Sequence, residues 1–246
     1  MKILKFLFSI YGLLTFILVM FIALPFILIA SCFGVKGGNF IYKVCKVWAF
    51  VWYCTIGVIH KNIYEKPHNK NKQYIFVANH VSYLDIPPIV LCVQQAIRVL
   101  GKYEMVKIPI FGWVYKATVI LVDRSSPEKR SKSVRALKAA LNKGISIFLF
   151  PEGTFNESDM PLKSFFDGAF KLAIENQTPI KPLLMIDTLE RLHFKSVFSL
   201  TPGYNRVVFM DEIDVSNYTI NDVGILRDLT YKLMEEGLRR YRHYKA

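Results

Sequence analysis

The stretch Asn79-His80-Val81-Ser82-Tyr83-Leu84-Asp85 sets an imidazole and a carboxylate five positions apart, directly after the apolar run 74–78. A carboxylate that accepts a hydrogen bond from one imidazole nitrogen leaves the other free to take a proton from a bound hydroxyl. The same spacing also fits a turn and a helix cap. Asp85 precedes Ile86, Pro87 and Pro88, and aspartate before first-turn prolines is a good N-cap whatever the chemistry. One aspartate oxygen can cap the helix while the other orients His80.

Three other stretches suit an anionic reactant. Residues 149–155, LFPEGTF, close a strand with a tight turn holding Glu152, Gly153 and Thr154, whose backbone N–H groups can receive an oxyanion or phosphate. Residues 120–124, ILVDR, end another strand at Arg124, and residues 101–105, GKYEM, do the same with Lys102. Arginine as a fork and lysine as a point charge, at neighbouring strand ends, suit a phosphate.

These groups need a sheet to gather them. Beyond residue 73, short apolar runs alternate with charged helical stretches, which predicts an α/β layer structure. Strands are expected near 74–78, 97–101, 118–122, 145–150, 180–186 and 206–210. Residues 125–144, with serine caps, Pro127 in the first turn and Gly144 at the end, predict an amphipathic helix, as do residues 220–241. In open α/β sheets, sites form at the C-terminal strand ends, where His80 would fall.

The N-terminal part is of another kind. Residues 6–35 contain no charge, far beyond the ~7–15 apolar residues of a signal peptide. One helix of that length would measure ~45 Å against a hydrocarbon core of ~30 Å, so it must tilt or bend, with Pro25 as a natural place. A second uncharged run, 47–59, reaches only ~20 Å as a helix and is expected to dip into one leaflet or lie along it. Lys2, Lys5, Lys36, Lys43, Lys46, Lys61, Lys66, Lys70 and Lys72 flank both runs, which by the positive-inside tendency favours a helical pair whose flanks all stay at the cytoplasmic face of the inner membrane, with a single span followed by a short second helix as the alternative. The division expected is a membrane-associated helical segment over 1–64 and an α/β domain over 65–246, joined by EKPHNKNK (65–72).

A formal charge of +13 calls for an anionic partner. Lys129, Arg130, Lys132, Arg135, Lys138 and Lys143 read as a solvated helix face near anionic lipid, and no nucleic-acid motif accompanies them. Cys32, Cys45, Cys54 and Cys92 form no CxxC pair, and the histidines have no ligand spacing, so no metal is expected. A GxSxG elbow, a P-loop and an HExxH pair are all missing, which sets aside a serine hydrolase, an NTPase and a zinc protease.

Taken in order, His80 with Asp85, then the strand ending VDR, then FPEGT, then TPIKPLL (178–184), resembles the glycerolipid acyltransferases, specifically the bacterial 1-acyl-glycerol-3-phosphate acyltransferases. The resemblance covers roughly 74–186. It implies a central mixed sheet flanked by helices, with an N-terminal two-helix membrane element. It also implies acyl transfer from acyl-CoA or acyl carrier protein to the sn-2 hydroxyl of lysophosphatidic acid, without a covalent acyl-enzyme or cofactor. By that resemblance His80 is the general base, Asp85 orients it, Arg124 and Lys102 hold the phosphate, and Glu152, Gly153 and Thr154 position the acceptor. The chain departs from the family at Phe155, where arginine or serine is usual, at Phe166, where lysine is usual, and at Lys181, within a usually apolar strand. Lys163 is a candidate substitute for the missing charge. Other readings are the same chemistry on another acceptor (glycerol 3-phosphate, another lysophospholipid or an acylated amino-acid lipid), or a non-catalytic basic binder of membranes or nucleic acid.

Overall fold

The structure, a computed structural model, describes residues 2–95, 97–109, 111–123 and 126–242. The apolar N-terminus is a helical hairpin. Helix α1 (Lys2–Ser31), ~45 Å at ~1.5 Å per residue, runs on through Pro25, and α2 (Gly34–Thr55) returns beside it. The reversal depends on Gly34 at φ +56° and on Gly37, where a Cβ would lie 1.8 Å from the Ala30 carbonyl oxygen. Among the described residues, one helix, Ile3–Ser31, is long and apolar enough to cross a membrane.

The second apolar run does not form a helix of its own. It divides at Gly57 (φ +62°): the part before it completes α2, and the part after it becomes strand β1 (Val58–Tyr64). Val58, Ile59 and Ile63 are β-branched, and β1 finds a parallel partner in residues 203–209, a pairing that no local pattern announces. The boundary at 64/65 therefore assigns an edge strand of the sheet to the helical segment. Helix α2 is also fastened to the layers below: Tyr42 donates to the Val93 carbonyl at 2.8 Å, and Asn205 donates to the Tyr53 hydroxyl at 2.6 Å.

The other strands are β2 (Ile75–Ala78), β3 (Ile97–Lys102), β4 (Val119–Val122), β5 (Ser146–Leu149), β6 (Ile180–Met185) and β7 (Gly203–Phe209). They differ from the expected ones only at their ends. The sheet order is β1-β7-β6-β2-β5-β3-β4, with β6 and β7 antiparallel and all other neighbours parallel. Every residue of β2, β5 and β6 is buried, as central strands covered on both faces must be. One face packs against α5 (Pro127–Leu141), α6 (Gly168–Glu175) and α8 (Val223–Arg242), through Leu137, Phe170 and Met234. The other packs against α2 and α3 (Ile86–Cys92), through Tyr42, Ile89 and Cys92. Two further helices, α4 (Phe111–Thr118) and α7 (Thr188–Arg191), complete the chain.

Lys181 lies fully inside β6. Its ammonium donates to the Lys66 carbonyl at 3.0 Å, and burial pulls its pKa below the usual lysine range.

Candidate active site

Because β2, β5, β3 and β4 are consecutive and parallel, the residues that follow them leave from one sheet edge. His80 comes two residues after β2, Glu152, Gly153 and Thr154 follow β5, and Lys102 ends β3. At ~4.8 Å per strand, Lys102 starts ~10 Å from the end of β2. Arg124, two residues beyond the end of β4, lies outside the described residues.

The histidine and aspartate meet. His80 Nδ1 is 2.8 Å from Asp85 Oδ2, and a carboxylate there can only accept, so Nδ1 carries the hydrogen and Nε2 presents its lone pair outward. The imidazole is 17% exposed and the carboxylate fully buried. Asp85 is held by its own turn: the same Oδ2 accepts the Val81 and Ser82 amides at 2.7 and 2.8 Å, and Ser82 Oγ accepts the Leu84 amide at 3.0 Å, closing a capping box over a 3₁₀ turn at Tyr83–Asp85. The division of labour expected between the two oxygens is thus not the observed one. Oδ2 both orients His80 and closes its own turn, Oδ1 has no hydrogen-bond partner among the described residues, and α3 takes no cap bond from Asp85.

Two aromatic rings fix the imidazole plane. Phe150 stacks on His80 with centroids 3.9 Å apart at 9°, and Phe155 meets it edge-on at 4.4 Å while also touching Tyr83. The backbone beneath is pinned as well. Asn79 bridges β2 to β6 through both Met185 backbone groups, and the Asn156 amide donates to the His80 carbonyl at 2.7 Å.

The turn after β5 holds the protein together more than it faces a ligand. Glu152 is buried, and its two oxygens accept the His80 amide at 2.7 Å and the Lys163 amide at 2.8 Å, so this carboxylate does not face an acceptor. Burial pushes its pKa up to about 7, the two amides pull it back, and the Asp85 charge adds to the rise. The Gly153 amide is used inside the turn, on the Phe150 carbonyl at 3.1 Å, and the residue sits at φ +73°. The Thr154 and Phe155 amides, by contrast, have no hydrogen-bond partner among the described residues, and the Phe155 ring meets His80. Lys163 Nζ donates to Thr154 Oγ1 at 2.9 Å, which brings this lysine to the site from a loop eleven positions past Glu152. Phe166 is exposed.

Sequence reasoning missed Asn79, Asn156 and the Phe150 stack. The polar Asn79 immediately after an apolar strand was the available signal; the other two depend on the fold of the 150–166 loop.

A parallel sheet edge with an oriented histidine defines a class, and the comparisons with known proteins agree with it. The chain belongs to the acyltransferase family: the family described as Acyltransferase matches residues 59–186. It is 33% identical over 166 residues to a 1-acyl-sn-glycerol-3-phosphate acyltransferase of Haemophilus influenzae, covering 67% of this chain and 68% of that protein. It is 30% identical over 196 residues to a chloroplast 1-acyl-sn-glycerol-3-phosphate acyltransferase of Arabidopsis thaliana, covering 79% of this chain but only 54% of that longer protein. The crystal structure of the 1-acyl-sn-glycerophosphate acyltransferase PlsC from Thermotoga maritima superposes with a TM-score of 0.77 over the whole of both chains at 19% identity, a likeness of fold.

Proposed function

We propose that this protein is a membrane-bound 1-acyl-sn-glycerol-3-phosphate acyltransferase, moving a fatty acyl chain from acyl-CoA or acyl carrier protein to the sn-2 hydroxyl of lysophosphatidic acid. The observation that carries the reading is the outward Nε2 of His80, set by the 2.8 Å bond from Nδ1 to Asp85.

In the proposed reaction Nε2 removes the hydroxyl proton as the acceptor oxygen attacks the thioester carbonyl. The carbonyl becomes a tetrahedral oxyanion, for which the Thr154 and Phe155 amides, without a hydrogen-bond partner among the described residues, are candidate donors. Collapse breaks the C–S bond, and the imidazolium returns its proton to the departing thiolate. Asp85 keeps its charge throughout and stabilises the imidazolium. Lys102 and Arg124 bind the acceptor phosphate, joined by Lys163, whose ammonium is bonded to Thr154 Oγ1. Phe155 stands where the family resemblance leads one to expect arginine or serine, and this favours a second reading in which the same chemistry serves an acceptor with a different headgroup.

The exposed apolar side of α1, including Leu14, Leu18, Ile22 and Ile29, supports membrane attachment, and the lysine flanks support a cytoplasmic site on the inner membrane. The deciding experiment incubates purified full-length protein with acyl-CoA or acyl carrier protein thioester and a panel of lyso-acceptors, identifying products by mass spectrometry. Phosphatidic acid as the main product supports the reading; transfer only to other acceptors replaces it with the second. A cysteine introduced near Lys70 in a cysteine-free chain should resist an impermeant reagent in intact cells, and free labelling would move the site to the other face.

A further inference from the structure

Where α1 turns into α2, the two helices, the start of β3 and α4 border an open cavity of about 460 Å³. Its walls are apolar at Leu28, Ile41, Trp113 and Ala117, and its charges are Arg98 and Lys116. Arg98 is partly buried, and that burial lowers its pKa from the usual guanidinium value. Its guanidinium donates to the Ile97 carbonyl at 3.0 Å and reaches Asn39 Oδ1 only at 3.5 Å, and among the described residues it makes no ion pair. Most of its five donors are therefore unused.

The missing countercharge cannot come from the surrounding elements. Residues 1–64 contain no Asp or Glu, and Glu104 is the single acid between 86 and 122. A guanidinium half withdrawn from water beside apolar walls is costly unless an anion meets it. Room for the guanidinium is kept by Gly38, where a Cβ would stand 2.2 Å from Arg98 Nη2. Of the apolar lining, Trp113 is 61% exposed, and Phe33, next in the chain to the lining Gly34, is exposed as well. Arg98 precedes Lys102 by ~13 Å along β3, so this cavity is separate from the His80 edge.

We propose that the cavity binds the phosphodiester of an anionic glycerophospholipid, with Arg98 forked onto its oxygens, Lys116 adding charge, and the acyl chains lying along α1. A lipid fits better than a free anion because the walls are apolar, and a small ion would leave them and the exposed Trp113 uncovered. The inference rests on reading α1 as a membrane segment.

The test uses full-length protein in neutral detergent micelles at ~0.5 M salt, where surface attraction is screened to a few ångströms. Short-chain phosphatidylglycerol and phosphatidylcholine are titrated while Trp113 emission is followed, with Trp113→Phe as the blank. Phosphatidylglycerol should bind about tenfold more tightly than phosphatidylcholine, whose phosphodiester can meet the same fork but whose choline cation would then stand against Arg98 and Lys116. Arg98→Gln should remove that preference, and Gly38→Ala should do the same at unchanged net charge by displacing the guanidinium. Both variants should retain acyl transfer, which reports an intact fold; should either fail to fold, Arg98→Lys keeps the charge and should lose only part of the preference. Equal binding of the two lipids by the wild type, or a preference that survives in Arg98→Gln, overturns the site. Displacement of phosphatidylglycerol by equimolar inorganic phosphate overturns the lipid assignment. Flotation with phosphatidylcholine vesicles separates the two ideas: if neither wild type nor Arg98→Gln floats, the membrane reading of α1 fails instead.

Discussion

At the end of β2, His80 is tied at its amide, its carbonyl and Nδ1, is stacked by Phe150, and its partner Asp85 is locked by two amides. Two strands along the same edge, Lys102 is exposed, and its ammonium makes no hydrogen bond or ion pair among the described residues. The contrast follows from the two jobs proposed for these residues. Proton transfer needs a donor and acceptor aligned at ~3 Å, so a base must be held by its surroundings. Attraction between a lysine and a phosphate falls only as the inverse of distance, so a flexible side chain can find its partner after the substrate arrives.

The largest effect should come from the pinned half. His80→Ala should lower turnover by ~10²–10⁴-fold while thermal unfolding changes little. Asp85→Asn should cost about 10²-fold in turnover, because a neutral amide no longer stabilises the imidazolium. Its oxygen can take the Oδ2 place, and its NH₂ then falls where Oδ1 has no partner, so no donor clash arises and the melting temperature should stay close to wild type. Near-normal turnover in Asp85→Asn would reduce the motif to a turn.

The looser half should respond in acceptor affinity. Arg124→Ala should raise the acceptor KM about tenfold with a smaller effect on kcat, since a fork contact is lost while the base remains. Lys102→Ala and Lys163→Ala should act in the same direction more weakly. A loss confined to kcat in these variants would erase the distinction between the halves.

The smallest effect concerns the tie between them. The Glu152 pKa is raised from 4.5 to about 7, so between those values the folded protein holds a proton that the unfolded chain has released. Stability from this group is therefore greatest below about 4.5 and falls as pH rises to about 7. Glu152→Gln should flatten that slope in urea unfolding at about pH 5 and about pH 8. It should also cost ~1–3 kcal/mol, because the amide NH₂ must face one of the two backbone N–H donors. An unchanged slope would show that another group titrates.

Much was legible in the residues alone, where the signals are local. Alternating apolar runs announced six strands, Pro127 and Gly144 bounded a helix, the uncharged N-terminus announced α1, and NHVSYLD brought its own pair together because five residues of turn suffice to close it. What only the tertiary structure decided involves partners far apart in the chain. Strand β1 exists because residues 203–209 lie beside it, and neither segment predicts the other. Glu152 looked like a ligand group until folding placed the His80 and Lys163 amides on its two oxygens. Lys163 reached Thr154, and Arg98 was left without an acid, through loop closure and helix packing; a sequence records which charges a chain owns, but their pairing depends on distances that exist only once the layers have assembled.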